Sequence, residues 1–116
     1  MFVIKPKRET GVCTMIRFER SRQFRRHMKS EAIKFAKQAS ALASKIDGSA
    51  YFQVFTGVFG SVERVFWIAE FEGLAALEKT LMKIEADVRW KQFIDNAPKD
   101  IFVDGSGREA IMQPVP

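Results

Sequence analysis

Residues 65 to 71 read Val65-Phe66-Trp67-Ile68-Ala69-Glu70-Phe71. The run is rich in aromatic and β-branched residues and lies between Gly60 and Gly73, which predicts a strand. Alternation sends Val65, Trp67, Ala69 and Phe71 to one face and Phe66 and Ile68 to the other, with Glu70 near the end. A sheet covered by helices on one side only should carry a polar opposite face. This strand is apolar on both. The second face needs a cover that a chain of 116 residues is too short to provide, so the pattern predicts a partner subunit.

The neighbouring segments extend this strand into a sheet. Val12 to Phe18 alternates, with Val12, Thr14, Ile16 and Phe18 on one side and Cys13, Met15 and Arg17 on the other. Between about Ser21 and Ile46 the period becomes helical, and Phe24, Met28, Ala32, Phe35, Ala39, Leu42 and Ile46 form one stripe. Ser21 is the expected N-cap, and Asp47-Gly48 the stop. Ala50 to Val58 predicts a second strand. Gly73 opens a second helix with the stripe Leu74, Leu77, Leu81, Ile84 and Val88, and a short helical piece with Trp90, Phe93 and Ile94 ends before Pro98. Arg108 to Gln113 closes the set as a last strand. Met1 to Gly11, containing Pro6, is expected to form an arm or an edge strand.

The order is β-α-β-β-α-β, the ferredoxin-like arrangement of class α+β. It implies one domain over residues 1–116, a four-stranded antiparallel sheet with helices on one face. Two such sheets packed face to face make a dimeric α/β barrel, so a homodimer is expected. Trp67, Phe71 and Met15 are expected on the face between the sheets.

Composition narrows the class. Hydrophobic residues make up 47% and charged residues 28%, the balance of a globular domain. No apolar run reaches the ~18 residues of a membrane span, and no secretory leader is evident. Cys13 stands alone, which excludes an intrachain disulfide and suits a reducing cytoplasm. One Cys and one His, His27, cannot assemble a zinc site. No metal and no cofactor are expected. Residues 20 to 46 hold eight basic groups against Glu31 alone, a net of +7 in a chain whose total is +5.

The stretch Gly60-Ser61-Val62-Glu63-Arg64-Val65-Phe66-Trp67-Ile68-Ala69-Glu70-Phe71-Glu72-Gly73-Leu74 resembles the NIPSNAP-like branch of the dimeric α/β-barrel superfamily. Its members show a glycine turn, a strand of the form N-x-V-x-H-x-W-x-Y and a helix with an early Leu. Asp87, Trp90 and Phe93 match an Asp-x-x-Trp-x-x-Phe element, and Ile111 to Pro114 a closing strand ending in Pro. The likeness spans about residues 50 to 114. Glu63, Trp67 and Ala69 stand where the pattern has Asn, His and Trp, so an activity resting on that His and Trp does not carry over. The resemblance implies the fold and a poorly defined biochemical role.

Three functions are compatible with this reading. In the first, Trp67, Phe71, Cys13, Met15 and Met112 line an apolar chamber between the two sheets that accepts a small apolar or aromatic molecule. Arg17, placed with Cys13 and Met15 by alternation, would meet an anionic group of that ligand, and Glu63 is a further inward-facing candidate. The same domain could serve instead as an accessory assembly domain. The second function is a cofactor-independent monooxygenase, as the superfamily includes such enzymes, so whether the chain is an enzyme stays open. The third uses Arg22, Arg25, Arg26 and Lys29 of the basic first helix to bind phosphate or nucleic acid. No nucleic-acid motif accompanies those residues, which disfavours it.

Overall fold

The computed structural model describes residues 15–60 and 62–115. The expected arm over residues 1–11 and the residue Cys13 lie outside this range. The elements in chain order are β1 (Ile16–Gln23), a 3-10 turn (Arg26–Met28), α1 (Lys29–Ile46), β2 (Gln53–Thr56), β3 (Arg64–Phe71), α2 (Leu74–Ala86), α3 (Val88–Asp95) and β4 (Arg108–Met112). The sheet runs β2-β3-β1-β4 with every neighbour antiparallel. This is the ferredoxin-like order, with the helices on one face.

β3 and the second helix lie where the pattern places them. β1 does not. It extends to Gln23 and takes in Ser21, Arg20 and Arg22, so α1 begins eight residues later than expected. Eight cross-strand partners, from Ile16↔Phe71 to Gln23↔Arg64, hold this basic stretch extended. Sheet pairing overrides the helical spacing of Phe24 and Met28. Phe24 is buried as a bridge to Phe102, outside any helix.

α1 buries Ala32, Phe35, Ala36, Ala39, Ala43 and Ile46. Four alanines on this stripe let the helix approach the sheet closely. α2 buries Leu77, Thr80 and Ile84, while Leu74 is exposed, so its inner face is rotated from the expected stripe. At the end of α1, Oδ1 of Asp47 accepts from the Ser49 backbone N–H (3.0 Å) and hydroxyl (2.6 Å). The hydrogen bonds from Ser49 hold the Asp47 carboxyl below its ordinary range. In the loop after β2, Gly60 takes φ +70°, a left-handed conformation that glycine adopts without strain.

The two faces of the sheet are assigned by register. Ile16 and Phe18 of β1 and Val65, Trp67, Ala69 and Phe71 of β3 are buried on the helix side. The expectation that Trp67 and Phe71 face a second sheet is therefore corrected: both lie beneath the helices of their own chain. The indole Nε1–H of Trp67 donates to the Ala36 carbonyl of α1 at 3.1 Å. Phe71 packs against Phe52 with centroids 6.2 Å apart. The physical reason is continuity. All four residues of this row are apolar, whereas the other row of β3 mixes Phe66 and Ile68 with Arg64 and Glu70, and the unbroken row takes the dry side.

Candidate functional site

A cleft of about 160 Å³ lies between the sheet and the helices, with Ala39 and Ala43 of α1 on its wall. Its walls are aromatic: Phe18 from β1, Trp67 from β3, Phe35 from α1, Phe52 ahead of β2 and Trp90 from α3. A cavity of roughly 150 Å³ with apolar walls accepts one benzene ring, so the space suits a single aromatic group. Four lining residues are polar: Arg20, Arg22, Ser40 and Glu85. The Ser40 hydroxyl is committed to the Phe52 carbonyl.

The two arginines differ in what holds them. Arg20 forms an ion pair with Glu109 of β4, and its guanidinium carbon lies 5.4 Å from the centre of the Phe18 ring. The Arg22 guanidinium carbon lies 4.4 Å above the Phe102 ring, and no ion pair to Arg22 occurs among the described residues. A cation resting on an aromatic face keeps the N–H groups along its edge for an acceptor. The site therefore combines an aromatic slot with a half-buried, charge-unpaired guanidinium at its rim.

A model of a family of unknown function, DUF6039, matches residues 9–115. The chain belongs to the DUF6039 family. No curated protein matches this DUF6039 chain. Solved structures do. A NIPSNAP-like domain protein from Burkholderia xenovorans, described as uncharacterised, shares 16% identity, with 90% of this chain and 88% of that one covered at TM-score 0.73. A NIPSNAP family protein from Agrobacterium tumefaciens shares 22% identity, with 96% and 95% covered at TM-score 0.73. A second Agrobacterium NIPSNAP family protein, of unknown function, shares 18% identity, with 88% and 89% covered at TM-score 0.69. The NIPSNAP-like resemblance read from residues 50 to 114 holds at the level of the fold.

In this DUF6039 fold the expected chamber residues do not meet. Trp67 lines the cleft on the helix side, whereas Arg17 pairs with Glu70 and Met112 across the sheet and belongs to the opposite face. The sheet itself separates Arg17 and Met112 from Trp67 and Phe71. Met15 precedes β1 and is half-buried. Glu63 sits ahead of β3, where its carboxylate receives Arg26 Nε at 2.9 Å.

The basic set is likewise divided. Arg22 belongs to β1, Arg25 precedes the 3-10 turn with extended backbone, Arg26 opens that turn and Lys29 opens α1, so these residues form no helical stripe. His27 is exposed within the same turn. Among the described residues, no group of three His, Cys, Asp or Glu is placed to hold a metal ion, and no helix is long and apolar enough to cross a membrane.

Reading the sequence as a helix from Ser21 hid the two cleft arginines. Their signal was available in alternation: Phe18, Arg20 and Arg22 continue the inward row of Ile16. Phe102, buried beneath Arg22, lay in a segment with no periodicity to mark it.

Proposed function

We propose that the cleft beneath Trp67 binds a small aromatic molecule bearing an anionic group, with the ring between Trp67 and Phe35 and the anion at Arg22. The charge-unpaired Arg22 guanidinium at the mouth of an aromatic cleft carries this reading. A buried aromatic ligand gains roughly 25 cal/mol per Å² of apolar area removed from water, and the guanidinium supplies orientation. The test is titration with 8-anilinonaphthalene-1-sulfonate, an aromatic anion, followed by tryptophan quenching and native mass spectrometry. Stoichiometric binding by the native protein, weakened at least ~10-fold in Arg22→Gln, supports the site. Equal binding by both proteins refutes it.

The open face of the sheet supports a homodimer. Phe55, Phe66, Ile68, Ala110 and Met112 share it with Arg17, Glu19, Glu70 and Arg108, and Phe55 and Met112 are exposed in the single chain. Apolar groups interspersed with both charges suit a self-complementary contact between two copies.

A cofactor-independent monooxygenase is a second reading of the same cleft. Aromatic walls exclude water, and Arg22 would hold the enolate of a substrate that itself activates oxygen. Oxygen consumption with an aromatic quinol separates an enzyme from a simple binding protein.

A further inference from the structure

Arg64, at the start of β3, is a buried cation that forms no ion pair among the described residues. It is only 6% exposed. Its Nε and Nη2 donate to the Ser21 hydroxyl at 3.1 and 3.0 Å, and Nη2 also donates to the Ser106 carbonyl at 2.5 Å. All these acceptors are neutral. No carboxylate forms an ion pair with Arg64 among the described residues. Burial, and then the charge of nearby Arg108, both work against its protonated form.

This arrangement is costly in a single chain. A desolvated charge is tolerated when an opposite charge compensates it, and removing that partner typically weakens a protein strongly. A hollow of about 320 Å³ lies beside Ser21, Arg64 and Arg108. Phe66, Ala110 and Glu19 also line it. Glu109 also borders it, but its carboxylate is taken by Arg20. Glu19 makes no ion pair among the described residues.

We propose that Arg64, Arg108 and Ser21 form an oxyanion site on the open face, taking a carboxylate or phosphate group. Arg64 of β3 and Arg108 of β4 lie on either side of Ser21 of the intervening strand β1, and their guanidinium groups present planar N–H donors to such a group. The site lies on the opposite side of the sheet from the aromatic cleft and does not depend on it. The oxyanion has two sources: a free small anion, or the Glu19 carboxylate of a second copy laid against this face.

The full chain distinguishes them. Thermal unfolding with inorganic phosphate and with citrate, against sodium chloride of equal ionic strength, reads a free anion. Sedimentation equilibrium reads the second copy. A free anion raises the midpoint by about 3 °C or more at saturation, and Arg108→Gln and Arg64→Gln abolish the rise while Glu19→Gln keeps it. A second copy instead shows no response to phosphate, and Arg108→Gln and Glu19→Gln each weaken dimerisation at least ~10-fold. Arg108 is exposed, so its variant tests the site even where Arg64→Gln fails to fold. If Arg108→Gln leaves both readouts unchanged, or phosphate stabilises native protein and variants equally, the site is overturned.

Discussion

The indole nitrogen of Trp67 donates to the Ala36 carbonyl, 3.1 Å away, and ties the central strand β3 to the first helix. One contact thereby places the largest side chain of the strand beneath helices and makes it a wall of the cleft. Trp67→Phe keeps an aromatic surface but removes the donor. It is expected to cost about 1–2 kcal/mol, the lost hydrogen bond plus some packing. Trp67→Ala should cost about 3–5 kcal/mol. Urea denaturation measures both, and a near-neutral Trp67→Phe would show that the bond contributes little.

Filling the cleft separates binding from folding. Ala43 of α1 is buried and borders the cavity. Ala43→Leu should occupy part of it, changing stability by no more than about 1–2 kcal/mol while abolishing binding of an aromatic anion. Circular dichroism with ligand titration checks both halves. Undiminished binding would move the ligand elsewhere.

Asp47 links the end of α1 to pH. Its folded carboxyl is held below the ordinary range, first by the Ser49 hydroxyl and then by the Ser49 backbone N–H. A depressed carboxyl stabilises the fold above the unfolded value and loses that contribution as pH falls through the folded one. Stability should therefore decline from about pH 5 downward. Asp47→Asn should flatten that part of the profile. Denaturation midpoints from about pH 6 to 2.5 give the comparison, and identical slopes would assign the acid sensitivity to other carboxylates.

The open sheet face predicts self-association. Ile68 pairs with Glu19 and Gln53 near the centre of that face. Ile68→Glu should convert a dimer to a folded monomer in light scattering at micromolar concentration. A native protein that is already monomeric there contradicts the dimer.

The Arg26–Glu63 pair should matter little. The Arg26 side chain is 89% exposed, and water and salt screen such pairs. Glu63→Gln is expected to leave thermal stability and aromatic-anion binding unchanged. A clear loss of binding would return Glu63 to the site.

The strand from Val65 to Phe71 and the helix from Leu74 were legible because each carries its own period, and the closing strand at Arg108 because Pro114 marks its end. Aromatic alternation marks a strand, and leucines at steps of three and four mark a helix, whatever lies around them. Alternation also showed apolar residues on both faces of β3. It could not say which face meets the helices, since the period is the same for both. The mixed charge of Arg64 and Glu70 was the available clue, and it points the Trp67 row inward.

The chain alone determined the order of elements, the antiparallel ferredoxin-like class and the presence of apolar residues on both faces of β3. Only the tertiary structure decided that Ser21 and Arg22 are strand rather than helix, because eight cross-strand pairs with β3 outweigh a local helical spacing. That extension carries Arg22 to the aromatic cleft and Ser21 to the buried Arg64. Residues distant in sequence become one site when backbone hydrogen bonding sets the register, and local periodicity holds no record of which strand will be the partner.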